Sequence, residues 1–177
     1  MDIEVSKENI QPLRGGRNLV QLGTALQAQS DVEAQKKLQL QKEEHEAAIR
    51  HYEGPDPLDP WFNYIQWVEQ SYPKHGHEGN IDKLIKDCLQ LFEKDEKYFQ
   101  DRRLVKLWIK YVDCLSNPLE MYQRLYNTGI GVGCSEFYRA WACYCEESGD
   151  FKKANHIYML GLQAKAQPLD ELEQAHM

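Results

Sequence analysis

Three side chains of different polarity stand in a row near the start of the chain: Lys7, Glu8 and Asn9, within SKENIQPL. A cation, an anion and a two-way amide in adjacent positions can satisfy a polar pocket on another protein with little buried area. The flanking residues are polar and Pro12 follows closely. Segment 1–17 is therefore expected to be extended or flexible, where a short motif is open to a partner. The same residues also suit a passive, frayed end, and residue types alone do not separate the two.

Other groups invite chemical readings that their surroundings do not support. NTGIGVG at 127–133 has the glycine spacing of a phosphate loop but neither a preceding strand nor a Lys-Ser/Thr ending. Its glycines are expected to supply positive φ in a turn between helices. Cys143 and Cys145, with His156, hint at zinc. Two positions on a helix are separated by about 200°, so the two sulfurs point to different faces, and a structural site needs four ligands. His75-Gly76-His77 lies in a turn with no third ligand evident. No nucleophile–base pair is evident, so neither catalysis nor a metal or other cofactor is expected. The net charge of −7 argues against a nucleic-acid partner. No apolar run reaches the ~18 residues a membrane span needs, so no membrane partner is expected either. The five cysteines have no framework spacing and read as free thiols.

The elements that must position these groups are helical throughout. Asn18 and Asp31 suit the caps of two arm helices over 19–29 and 32–52. The first shows Leu19, Leu22 and Leu26 on one face, and the second is rich in strong helix formers but thinly apolar. GPDPLDP at 54–60 ends the arm. Asp59 and Pro60 then suit a cap and first turn, and six helices follow with large apolar groups at helical spacing, the last over 150–166. The charged run at 93–103 reads as a solvated connection carrying internal ion pairs.

The body helices pair at a period of ~35–40 residues, as in a helical repeat. Ala142, Gly149, Phe151, Ala154 and Tyr158 fall where a tetratricopeptide repeat (TPR) places small, turn, aromatic, small and aromatic residues. Trp61, Tyr64, Trp67 and Glu69 suit a divergent, half-TPR form of the first pair. The expected fold is all-α: about three irregular TPR-like helix pairs over 54–168, preceded by a flexible segment (1–17) and a helix-loop-helix arm (18–53), with 169–177 as a tail. The helix near 101–115 is apolar over about 200° of its circumference, well beyond an ordinary core-facing stripe. Either neighbours pack it on both sides, or the edge near Trp108 and Ile109 lines a groove for an apolar peptide.

Lys-Glu-Asn is also the KEN box, the degron read by WD-repeat activators of the anaphase-promoting complex. SKENIQPLRGGRN, YEGPDPLDPWFNYIQWVEQSYP, YFQDRRLVKLWIKYVDCLSNPLEMYQRLYNTGIG and DFKKANHIYMLGLQAKAQPL together resemble the N-terminal region of the Bub/Mad spindle-checkpoint family. The leading KEN box points to its Mad-three and Bub-related branch. The resemblance implies a mitotic checkpoint component in which Lys7, Glu8 and Asn9 dock on the activator's propeller. It implies that the arm and body help arrange the activator with the Mad-two checkpoint protein, so that the segment acts as a pseudosubstrate. It further implies that the TPR body binds a motif of the kinetochore scaffold that carries MELT repeats, along a groove matched here by Trp108 and Ile109. Elsewhere in that groove the family uses acidic and basic residues; Tyr144 and Ser148 stand there instead, so an altered or weaker scaffold contact is expected. Nucleus and cytoplasm, with kinetochores in mitosis, are the implied locations. A second KEN box, a Bub-three-binding segment and a kinase-like domain are missing, so an N-terminal piece of a longer protein is expected, itself non-enzymatic. Two other readings fit the same residues: a KEN-dependent substrate of the ligase, and a general TPR scaffold with an incidental triplet.

Overall fold

The computed structural model describes residues 13–72 and 81–176. Lys7, Glu8, Asn9, His75, Gly76 and His77 lie outside them, as do the side chains of Leu19 and Leu22. The chain divides into two compact units, meeting between Tyr52 and Glu53. No described helix is long and apolar enough to cross a membrane.

The first unit holds one continuous helix, α1 (Leu13–Arg50). The expected break at Asp31 does not occur. No proline interrupts the segment, and Asp31 acts as a mid-helix acceptor from Gln27 Nε2 at 3.2 Å rather than as a cap. Gln39 and Glu43 add a second pair of the same spacing at 3.3 Å. Leu26 is 58% exposed and Leu40 equally so, so this helix shows apolar side chains to solvent.

The second unit is a stack of helices: α2 (Leu58–Ser71), α3 (Ile81–Phe92), α4 (Arg102–Asp113), α5 (Pro118–Thr128), α6 (Ser135–Glu147), α7 (Phe151–Gln163) and α8 (Leu169–His176). Successive helices α2–α3, α4–α5 and α6–α7 pack together, and α4 also reaches α3 and α6. No strand forms among the described residues; a lone parallel bridge joins Cys134 to Gln167. The TPR-like architecture read from the apolar spacing is therefore present, with two corrections. Residues 169–176 are a helix rather than a tail, because Leu172 is fully buried and Glu171 pairs with Arg139 at 3.4 Å. Helix α2 begins at Leu58, so Asp59 lies in its first turn instead of capping it.

Burial follows the repeat pattern closely but not fully. Ala142, Ala154 and Tyr158 are buried, and Gly149 turns the chain at φ +84°. Phe151, the expected aromatic filler, is 67% exposed. It is the first residue of α7, and helical side chains lean toward the N-terminus, which carries this ring past the packed turns. Gly161 is needed for close approach: a Cβ there would lie 2.7 Å from both Tyr138 Cγ and Leu172 Cδ2.

The glycine loop has the structural role expected of it and joins three connections. Gly129 and Gly131 take positive φ. Gln100 clamps the loop, its Nε2 donating to Gly129 O and its Oε1 accepting from Gly133 N, each at 2.7 Å. Gly131 N donates to Phe99 O at 2.8 Å, and Ser135 N to Gln167 O at 2.9 Å. The backbone groups of an irregular segment are thereby satisfied without secondary structure.

Candidate functional site

Helix α4 is apolar over so much of its surface because neighbours cover most of it. Leu104, Val105, Leu107, Trp108 and Val112 are buried, which fits a central helix packed on both sides. One edge remains open. There a cleft of about 320 Å³ runs between α3 and α5 across α4. Its floor is apolar: Leu89, Trp108, Leu125 and Ile130, with Met121 beside them. Tyr111 closes one side, edge-on to Trp108 with ring centroids 6.1 Å apart. Lys86 and Gln90 of α3, with Glu93 and Lys94 in the turn that follows it, form one wall; Arg124 and Thr128 form the α5 wall.

Of the two groove residues read from the sequence, Trp108 lines the cleft and Ile109 does not. Ile109 is half-buried against the core. Consecutive helical residues diverge by ~100°, whereas residues three or four apart share a face. Tyr111 is thus the partner that the helical spacing of Trp108 demands. Tyr144 and Ser148 lie on and just beyond α6 and take no part in the cleft; Ser148 Oγ donates to Tyr144 O at 3.0 Å.

Trp108 is 6% exposed, yet its indole Nε1 is buried without an acceptor. Leaving such a donor unsatisfied costs about 1–3 kcal/mol. A large aromatic wall beside an open apolar cleft is suited to gripping an inserted side chain.

A second polar constellation, at the start of α4, was not visible in the sequence. Arg103 donates to Asp56 at 2.9 and 3.2 Å and to Asp101 at 3.0 and 2.8 Å, with Asp59 at 3.7 Å. Tyr98 Oη donates to Asp56 at 2.6 Å, and Lys97 Nζ to Pro55 O at 3.3 Å. The Arg103 hydrogen bonds, then that of Tyr98, hold the Asp56 carboxyl below its usual range. Burial, then Asp56, pushes the Tyr98 hydroxyl up to about 12. The partners stand 47 residues apart, so no local signal announces them. The network ties the Pro-rich entry of the second unit to α4 through charge-assisted hydrogen bonds.

The thiols are not activated. Burial pushes Cys88 up to about 12 and Cys134 to about 11. Cys145 is buried and Cys143 exposed, the opposed facing expected from their spacing. Among the described residues, no group of three or more His, Cys, Asp or Glu could hold a metal ion.

Residues 40–162 match the family model described as Mad3/BUB1 homology region 1. Over 173 residues, 98% of this chain, the sequence is 43% identical to the mitotic checkpoint serine/threonine-protein kinase BUB1 beta of Mus musculus, covering 16% of that protein. It is 34% identical to the mitotic spindle checkpoint protein BUBR1 of Arabidopsis thaliana, covering 98% of this chain and 44% of the relative. The chain thus spans less than half the length of either relative. A solved chain from a structure titled Crystal Structure of Mitotic Checkpoint Complex superposes with a TM-score of 0.74 and 31% identity, covering 80% of this chain and 66% of that one.

Proposed function

Because this chain belongs to the Mad3/BUB1 family through homology region 1, we propose that it is a spindle assembly checkpoint component that inhibits the anaphase-promoting complex as a pseudosubstrate. In this role Lys7, Glu8 and Asn9 occupy the degron site of the WD-repeat activator. The arm and body help arrange the activator with the Mad-two protein, and the body also docks a motif of the kinetochore MELT-repeat scaffold on the Trp108 cleft. The protein then works in nucleus and cytoplasm and at mitotic kinetochores. The region is a binding module, and the kinase activity for which the mouse relative is named belongs outside the shared part.

One observation carries this most directly. The match to the mouse relative leaves only about four residues of this chain uncovered, so it runs through Lys7–Asn9 as well as the folded body. The physical logic agrees. A three-residue motif makes few contacts and pays an ordering cost, so alone it binds weakly. Tethering it to a helical body with contacts of its own raises its effective concentration at the propeller.

The test is competition against a fluorescent KEN peptide on the purified WD-repeat activator. The chain displaces the peptide and its Asn9→Ala variant does not. Equal displacement by both, or none by either, overturns the degron-mimic role. Ubiquitination assays then separate inhibitor from substrate: an inhibitor preserves securin, whereas a substrate is itself consumed.

A further inference from the structure

The charge of the cleft runs against the charge of the chain. The sequence carries 28 acidic and 21 basic residues, yet Lys86, Lys94 and Arg124 line the cleft with Glu93 as the lone carboxylate among its lining residues. Five other cations of the second unit are paired: Lys83 with Asp87, Arg102 with Glu136, Arg103 with Asp56, Lys110 with Glu69, and Arg139 with Glu171. Lys106, Lys152, Lys153 and Lys165 also make no ion pair among the described residues, but none of them lines the cleft. Among the described residues, the side chains of Lys86, Lys94 and Arg124 make no ion pair and no hydrogen bond. Three uncommitted cations therefore rim one apolar-floored cleft.

Their placement sorts the cleft into layers. Lys86 on α3 and Lys94 in the turn just after it line the same side. Arg124 faces them from α5. The floor between is Leu89, Trp108 and Leu125. An apolar side chain can enter the middle while groups on either side of it meet the rim. Arg124 can take a carboxylate through two parallel hydrogen bonds, and the lysines act as point charges.

A solvated lysine on a surface is ordinary, and one exposed ion pair contributes little. Three cations around a cleft that an occupant would dehydrate act together, and their sum decides which sequences dock and how fast. We infer that the Trp108 cleft selects an acidic peptide segment: an apolar anchor seated on Trp108, flanked by aspartate or glutamate side chains that meet Lys86 and Lys94 on one wall and Arg124 on the other. This rests on the reading of the cleft as a docking groove and adds the charge class of its occupant.

The test uses the full chain and two labelled synthetic peptides with identical Ile and Phe anchors, one flanked by glutamates and one by lysines, read by fluorescence anisotropy. The acidic peptide binds about tenfold tighter at low salt, and the gap narrows as salt rises. The triple variant Lys86→Glu/Lys94→Glu/Arg124→Glu reverses the preference, with circular dichroism confirming its helices. Equal affinity of both peptides for the unaltered chain, lost for both in Trp108→Ala, overturns the charge selection and leaves the groove standing. If neither peptide binds, or Trp108→Ala leaves both affinities unchanged, the groove itself falls and the selection with it. The comparison of peptides on the unaltered chain does not depend on any variant folding.

Discussion

Trp108 and Trp141 begin with the same chemistry and end in opposite surroundings. Each is a buried indole whose Nε1 has no acceptor among the described residues. Trp141 sits inside a cage of rings. Tyr122 stacks on it at 6.1 Å, and Phe137 and Tyr126 lean in at 5.7 and 5.8 Å. Among the described residues Trp108 has one ring neighbour, Tyr111, and an open cleft beside it. The difference teaches that burial does not by itself distinguish a core residue from a binding wall, since the two are 2% and 6% exposed. What surrounds the side chain does.

The largest expected effect falls on the caged residue. Trp141→Ala empties the centre of the ring cluster and costs about 3–5 kcal/mol. Urea unfolding should place it among the least stable single variants, with much of the population unfolded at physiological temperature. Retention of near-native stability would mean the cage carries no more energy than the cleft wall, and the contrast would vanish.

Gly161→Ala probes the same side of the molecule from outside the rings. The added methyl meets Tyr138 Cγ, at the root of a rigid ring, and the Leu172 Cδ2 methyl, each at 2.7 Å, and both side chains are fully buried. The α6–α7–α8 packing must open, at about 1–3 kcal/mol. A shift of the urea midpoint with an unchanged m-value is the expected reading. No shift would show that α8 yields freely and is not part of the core.

Much of this core was legible beforehand, for physical reasons that particular residues show. Helices α3, α4, α6 and α7 declared themselves because their apolar residues recur every three or four positions, and the structure buries them: Ile85, Cys88, Leu89 and Phe92 in α3, for instance. Helix α8 was missed because a single buried residue, Leu172, anchors an otherwise polar segment. One anchor has no period. The continuity of α1 was missed because Asp31 is as good a cap as a mid-helix acceptor, and only the backbone decides. At the cleft, Trp108 was found from the width of the apolar arc, but Ile109 was chosen by adjacency where the helix pairs Trp108 with Tyr111. The cationic rim was invisible because Lys86 and Lys94, on α3 and the turn after it, meet Arg124 of α5 only in space.

Arg103 tests whether charge at the other end of α4 works differently from charge at the cleft. There the cation is engaged, and its removal leaves Asp56 and Asp101 facing one another. Arg103→Gln should cost about 1 kcal/mol at neutral pH, discounted for partial exposure. The sign with pH follows from Asp56, whose folded carboxyl lies below its unfolded value. Its contribution is fully present above the unfolded pKa, about 4, and is lost as pH falls through the folded value. The unaltered chain and Arg103→Gln should therefore differ in melting temperature at pH 7 and converge near pH 2. A gap that persists undiminished in acid would show that Arg103 acts through packing of its stem.

The smallest effect on stability is expected at the cleft itself, and it sharpens the contrast most. Trp108→Phe removes the unpaired N–H and some ring area facing a space already open. The lost apolar contact and the relieved donor oppose each other, so the change should lie within about 1 kcal/mol of zero. Trp141→Phe removes the same N–H but leaves a void among Tyr122, Tyr126 and Phe137 that cannot collapse around stiff rings, so it should cost about 1–3 kcal/mol more. Urea midpoints measured side by side decide it. If the two substitutions cost the same, Trp108 is core like Trp141 and the cleft is merely a gap in packing. If Trp108→Phe is neutral while anisotropy shows weakened peptide capture, the ring is held at the cleft for binding and the surrounding core supports it there without depending on it.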